Sequence, residues 1–234
     1  MDSSDQPIGE VVDAHPAGRP ARTTLAGRCV ALAPLDAAAH ADALFEAANG
    51  GEKDRVWTYL FDGPYADRAA FRANIEAKAA SEDPLFFAIL DKPSGRAVGY
   101  QTFLRIEPAH RVIEVGNILY TPAMQKTIGA TEAQYLFARH VFDDLGYRRY
   151  EWKCNALNAP SRRAALRYGF SFEGVFRQHM IVKGRNRDTA WYAMLDSEWP
   201  ARKAAFEQWL APGNFDAAGR QRIALSALNG IEPS

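Results

Sequence analysis

Residues 118–133 read Ile118-Leu119-Tyr120-Thr121-Pro122-Ala123-Met124-Gln125-Lys126-Thr127-Ile128-Gly129-Ala130-Thr131-Glu132-Ala133, and the hydrophobic period changes inside them. Before the break, Val112 to Tyr120 reads as a strand. After it, Ala133, Leu136, Phe137, Val141 and Leu145 recur at three and four, which predicts an amphipathic helix from about Ala130 to Leu145, closed by Gly146. A loop of small and polar residues joins the two. The first N–H groups of a helix have no partner within it, so such a junction is an anion site that suits a pyrophosphate, and Lys126 adds a positive charge. Taken alone the loop is weak evidence, because most strand-to-helix loops bind nothing.

Working outward, the preceding segments read as a strand from Arg28 to Leu35 at a sheet edge, a helix from Ala37 to Ala48 capped by Asp36, and a second helix capped by Asp67 and ended by Ser81 to Pro84. Leu85 to Leu90 is a continuous apolar run, hence a strand buried on both faces. The turn at Asp91 to Gly95 leads into a strand from Ala97 to Ile106. Downstream come a strand from Tyr150 to Asn155, a helix from Pro160 to Tyr168 stopped by Gly169, a hairpin of Val175 to Lys183 with Thr189 to Leu195 around Gly184, and a helix starting near Glu198 or Pro200. An antiparallel meander feeding a βαβα unit implies one mixed sheet covered by helices. We read residues 1–22 as a flexible N-terminal tail, 23–211 as the folded domain, and 212–234 as a partly ordered appendage with one short apolar piece, Ile223 to Leu228.

Composition narrows the function. Of 234 residues, 28 are basic and 28 acidic, so there is no surplus of positive charge to argue for a nucleic-acid or anionic-membrane partner. No apolar run approaches the ~20 residues of a membrane span, and the N-terminus does not read as a signal peptide. Cys29 and Cys154 are too few for a disulfide framework and lack metal-ligand spacing, which points to the cytoplasm and to no metal. Walker A, the dinucleotide fingerprint, HExxH and CxxC pairs are all absent.

Three separated blocks resemble the GNAT superfamily of acetyl-CoA-dependent N-acetyltransferases, over roughly Arg28 to Pro200. The loop quoted above is similar to the Q/R-x-x-G-x-G/A signature in the form used by the ribosomal-protein alanine acetyltransferase (RimJ/RimL-like) branch, with Gln125 opening it. Asn158-Ala159-Pro160-Ser161 and Tyr168-Gly169-Phe170 match the two ends of the helix after the fifth strand. Phe170 to Trp199 looks like the closing hairpin and helix start of the same branch. Two positions depart from the pattern: Ile128 stands where the first glycine is usual, and Ala165 stands where many members carry a tyrosine as general acid.

The resemblance implies an α/β (α+β) fold with a mixed, mostly antiparallel seven-stranded sheet, splayed between its fourth and fifth strands, where acetyl-CoA enters as co-substrate. It implies that Ile118, Leu119 and Tyr120 pair their backbone with the pantetheine arm, and that the amides of Gln125, Lys126, Thr127, Ile128, Gly129, Ala130 and Thr131 hold the pyrophosphate. Asn158 would orient the cofactor, and Ser161 would protonate the departing thiolate in place of the missing tyrosine. For the base we take Glu114, ahead of His110 and His179.

Plainer roles exist for each: Ser161 as a helix-start residue, Glu114 as a solvated strand residue, Asn158 as an N-cap, Cys154 as a buried small hydrophobe. Trp57, Tyr59 and Phe61 line either an acceptor pocket or an ordinary core. The expected acceptor is a primary amine of a peptide N-terminus or a small molecule. N-terminal amines are favoured slightly, since their reference pKa is near ~8 against ~10.4 for lysine. A homodimer is left open. The rivals are a catalytically silent acyl-CoA-binding module and an antibiotic-modifying acetyltransferase, the latter requiring a strongly acidic acceptor cleft.

Overall fold

In the computed structural model, which describes residues 6–230, the strands are β1 Leu25–Ala26, β2 Val30–Pro34, β3 Leu85–Asp91, β4 Ala97–Glu107, β5 Val112–Tyr120, β6 Arg149–Asn155, β7 Ser171–Val182 and β8 Arg185–Leu195. They form one sheet of order β1-β2-β3-β4-β5-β6-β8-β7, antiparallel throughout except for β5 beside β6. The helices are α1 Ala37–Ala48, α2 Arg68–Ala80, α3 Ile128–Arg139, α4 Ala159–Arg167, α5 Trp199–Leu210 and α6 Leu225–Leu228. The outermost five residues of the expected tail and four of the appendage lie outside the described residues.

Side-chain caps set several helix starts. Asp36 accepts from the Ala39 amide at 2.7 Å, Asp67 from Ala69 and Ala70 at 3.1 Å, Thr127 from Ala130 at 3.1 Å, and Asn158 from Ser161 at 3.1 Å. Alternation along the strands then sorts the core into two layers. Phe87, Phe103, Val115, Tyr150 and Trp152 face α3 and α5, where the Phe103 and Phe137 rings stack at 3.8 Å. Phe86, Ala88, Tyr100 and Leu119 face α1 and α2 with Leu44, Trp57, Phe71 and Ile75.

The sheet has eight strands where seven were expected. The additional one, β1, is two residues long and pairs Leu25 with Leu32, so Val30–Pro34 is not the edge. Two residues are too few to leave an alternating pattern. The long helix also differs: it is α-helical from Ile128 to Arg139 and continues as one π-helical turn, His140–Asp144, before Gly146 at φ 73°. β7 begins at Ser171, four residues before the expected start, because register shifts at Phe172/Gly174 and Phe176/Met180 break its alternation.

Both flanking segments touch the body. The amides of Ala17 and Gly18 donate to the Pro108 and Leu145 carbonyls at 3.0 and 3.1 Å. Beyond α5, Asn214 is buried and donates to the Trp209 and Ile223 carbonyls, and Asn229 donates to that of Arg167.

Candidate active site

The feature that positions the site is a pairing that stops early. β5 and β6 run in register from Val112↔Arg149 to Val115↔Trp152 only, although β5 continues to Tyr120 and β6 to Asn155. The strands diverge from there. At the same point a bulge between Tyr100/Thr102 and Gly116/Leu119 turns β5, with Asn117 at φ 47°. The Leu119 carbonyl points at Gly99 of β4, where any Cβ would collide with it, and the Thr121 amide donates to Val98. Alternation therefore aims the main-chain groups of Ile118 and the N–H of Tyr120 into the wedge, where no strand meets them. Their side chains differ in setting: Leu119 is buried against α1 and α2, while Tyr120 joins Gln101 and Gln134 in a buried hydrogen-bonded trio. Burial raises the Tyr120 phenol well above its ordinary value.

The loop after β5 spends part of its donor set on itself. Gln125 gives its amide to the Thr121 carbonyl and its side chain to the Tyr120 carbonyl, and the Thr127 amide goes to Met124. Ala130 is capped by Thr127. Among the described residues the amides of Lys126, Ile128 and Gly129 have no partner, so three consecutive-turn donors remain for an anion. Ile128 sits in the first turn of α3 with ordinary helical geometry, and the left-handed residue of the loop is Lys126, at φ 62°. Gly129 is fixed by space, since a Cβ there would lie 2.8 Å from Val30 Cγ1. Ala130 and Thr131 are buried away from this rim, and Thr131 accepts a hydrogen bond from Arg167 at 3.0 Å, tying α3 to α4.

Glu114 and Ser161 border the wedge from opposite faces of the sheet. Glu114 lies on the α1/α2 face, 5% exposed, with Oε2 3.0 Å from Lys153 Nζ and 3.3 Å from Arg105 Nε. Burial raises its pKa, and the Lys153 and Arg105 charges pull the other way. Its second oxygen lies beside Gly116, at 3.5 Å from where a Cβ would stand, and Leu104 fills the rest of that space. Lys153 also bridges to Glu151 at 2.6 Å and lies 3.7 Å over the Trp191 ring. On the other face, the Ser161 hydroxyl accepts from Trp152 Nε1 at 3.0 Å and is also within hydrogen-bonding reach of the Cys154 thiol. Asn158 is confirmed as the cap of α4, and Cys154 is buried nearby, its thiol pushed up by burial.

The alternatives separate in space. His110 lies exposed in the β4–β5 turn. His179 bonds Thr189 Oγ1 at 2.9 Å, and its pKa is lowered by burial and by the charges of Arg105, Arg187 and Lys153. Trp57 belongs to the core. Tyr59 and Phe61 lie outside it: the Tyr59 hydroxyl donates to the Leu157 carbonyl, and Phe61 lies under the Arg187 guanidinium at 5.2 Å. A cleft of about 310 Å³ opens beside them between Asp62, Lys78, Tyr100 and Asn117. Lys78 and Asp62 pair across it. A larger cleft of about 670 Å³ borders the anion loop between Cys29, Ala47, Val98 and Gly129, and holds neither Glu114 nor Ser161. Ala165 is fully buried, so a tyrosine ring has no room there.

Lys153, Arg105 and Arg187 escaped the sequence reading. Glu151 and Lys153 share a strand face by their spacing of two, which was a visible signal, whereas Arg105 and Arg187 meet them only through the strand order. Among the described residues no group of His, Cys, Asp or Glu is placed to hold a metal, and no helix is long and apolar enough to cross a membrane.

Residues 30–171 match the family described as an acetyltransferase (GNAT) domain. The crystal structure of a GCN5-related N-acetyltransferase from Brucella melitensis superposes with a TM-score of 0.91 at 52% identity, covering 93% of this chain and 98% of that one. The uncharacterized N-acetyltransferase YnaD of Bacillus subtilis is 27% identical over 147 residues, 62% of this chain and 82% of that protein. The ribosomal-protein-serine acetyltransferase of Escherichia coli is 31% identical over 102 residues, 43% of this chain and 56% of that one. A split β5–β6 pair, a loop with unpaired amides at its head and this match over residues 30–171 lead to one assignment: the chain belongs to the GNAT acetyltransferase family.

Proposed function

We propose that the protein is an acetyl-CoA-dependent N-acetyltransferase close to the ribosomal-protein acetyltransferase branch, transferring the acetyl group to a primary amine of a peptide N-terminus or a small molecule. The observation that carries this reading is the wedge between β5 and β6, bordered by Glu114 on one face and Ser161 on the other. The pyrophosphate would take the amides of Lys126, Ile128 and Gly129, and the pantetheine arm would pair with Ile118 and Tyr120 in the manner of an added strand.

The chemistry needs few groups. The amine nitrogen attacks the thioester carbonyl carbon, the C–N bond forms, and the C–S bond breaks. Glu114 takes the amine proton, directly or through one water, and its raised pKa makes it a stronger base than an ordinary glutamate. Ser161, its oxygen already accepting from Trp152, gives its proton to the thiolate. Of the rivals, the silent module loses one of its two supports, since Ile128 is unstrained. The antibiotic-modifying reading draws less support, because Arg105, Lys153 and Arg187 stand beside Glu114 and Glu151 and Lys78 pairs with Asp62 in the neighbouring cleft. Calorimetry with acetyl-CoA, followed by CoA release with a panel of peptides and small amines, tests the proposal. Absence of acetyl-CoA binding at millimolar concentration overturns it.

A further inference from the structure

Arg187, paired through its backbone with Met180 of β7, is 8% exposed, and its guanidinium Nε has no hydrogen-bond partner among the described residues. Its Nε is sealed from solvent without an acceptor, and no carboxylate lies within 4 Å of the guanidinium. Glu114 is near enough to be felt electrostatically, yet it is held by Lys153 and Arg105. Cys154, on the other wall of the wedge, is felt as well. Two residues along the same face of β8 from Thr189, and four from Arg187, Trp191 carries a second sealed donor, its Nε1, also unpartnered. Burying a guanidinium costs several kcal/mol unless a partner meets it. Nothing in the packing requires the charge: Phe61 stacks on its face at 5.2 Å, a contact that an apolar side chain would make as well.

The α1–α2 loop is tied to the β7–β8 hairpin by Lys183 Nζ donating to the Trp57 carbonyl, and to the turn after β6 by Tyr59 donating to Leu157. Phe61 of that loop lies over Arg187, on the face of the sheet that also carries Glu114 and Lys153. The local charge favours an incoming anion by one unit: Lys153 bridges Glu114 and Glu151 at 3.0 and 2.6 Å, so Arg105, Lys153 and Arg187 face two carboxylates, while Arg149 is shared with Glu173.

Resting on the acetyltransferase reading above, we propose that Arg187 is the specificity residue for an oxyanion carried by the acceptor. The acceptor is then an amine with a carboxylate or phosphate close to it, the amine meeting Glu114 while the anion takes the guanidinium fork. A fork of parallel N–H donors matches either oxyanion bidentately.

Matched pairs test this: an amino acid against its amide, a peptide beginning with Asp against one beginning with Asn, and phosphoethanolamine against ethanolamine, each with wild type, Arg187→Lys and Arg187→Met. Wild type should favour the anionic member of at least one pair by about a hundredfold in kcat/KM, as expected for a desolvated charge pair. The pair preferred identifies the source as carboxylate, acidic side chain or phosphate. Arg187→Met should erase the preference through KM, Arg187→Lys should keep part of it, and acetyl-CoA affinity should hold in both. The melting temperature of Arg187→Met should not fall, because an unpaired buried charge is removed. Equal use of neutral and anionic amines by wild type overturns the proposal and leaves the acetyltransferase reading standing. So does a loss of acetyl-CoA affinity in Arg187→Met with the acceptor preference unchanged. If no amine is turned over, calorimetry of the same panel with acetyl-CoA present decides: binding of anionic members lost in Arg187→Met supports it, and no anionic member binding at 10 mM overturns it. Failure to bind acetyl-CoA at all is a failure of the acetyltransferase reading instead.

Discussion

Glu114 concentrates the residue-scale question, because one carboxylate is asked to be both an ion-pair partner and a base. Its pKa is raised by burial against the pull of Lys153 and Arg105. The sign follows: the base form is lost as pH falls through that raised value, so the acid limb of kcat/KM should lie above the ordinary glutamate range. Glu114→Gln should lower kcat/KM by about 10² to 10⁴ and remove that limb. Lys153→Met, which takes away the largest opposing charge, should move the limb to higher pH. A pH profile of the three proteins checks both, and a limb indifferent to Lys153 would mean another group titrates. Ser161→Ala should cost roughly one to two orders of magnitude in turnover with acetyl-CoA affinity unchanged, because a thiol of reference pKa ~8.5 leaves fairly well unaided. Full activity with a lowered melting temperature would reduce Ser161 to a helix-start residue. Of these residues the sequence singled out Ser161 and Asn158 through motif spacing and Glu114 through its place on the strand before the loop. It could not reveal Arg187, whose isolation is a property of what surrounds it in space.

At the scale of elements, Glu132 illustrates a residue whose role changed on folding. In sequence it closes the loop signature; in the structure its carboxylate leaves α3 altogether and accepts from the amides of Arg28, Cys29 and Val30 at 2.6 to 2.8 Å. It thereby anchors the β1–β2 turn to the helix that carries the anion loop, and Gly27 is required because a Cβ there would lie 2.5 Å from that carboxylate. Hydrogen bonds to charged groups contribute about 1.5 to 3 kcal/mol each. Glu132→Ala should therefore destabilise the fold by about 3 kcal/mol or more and weaken acetyl-CoA binding, whereas Glu132→Gln should recover part of the stability. Thermal melts with calorimetry on both variants check it. Elements announced by local chemistry were legible: Asp36 and Asp67 fixed two helix starts to the residue, and the apolar run from Leu85 marked a central strand. What escaped was set by neighbours. β1 exists only because β2 offers it an edge, and the front of β7 is hidden by bulges that the partner strand β8 imposes.

For the molecule as a whole, binding and folding should be linked. A ligand present at 100 times its dissociation constant stabilises the native state by about 2.7 kcal/mol, so saturating acetyl-CoA should raise the melting temperature by several degrees. An unchanged melt at saturation would count against the assigned loop and wedge. The fold class and the order of elements were readable because periodicity survives averaging over many residues. The surroundings of Glu114 and Arg187 were not, since they are assembled from the α1–α2 loop, β4, β5, β6 and the β7–β8 hairpin, segments up to 126 residues apart in the chain.

The early end of the β5–β6 pairing has a mechanical side. Four residue pairs are all that stitch the β1–β5 plate to the β6–β8–β7 plate within the sheet, so the seam works as a short hinge with a gap beyond it. An extended guest laid in that gap would act as a clasp, lengthening the seam with its own amides and stiffening both plates against twisting. Amide hydrogen exchange at Ile118 and Tyr120 should then slow sharply when acetyl-CoA is added and quicken once CoA departs, while Val112 to Val115 stay slow throughout. On the proposed activity, each turnover would lengthen and shorten this seam, and the release of the spent clasp would set a ceiling on its rate.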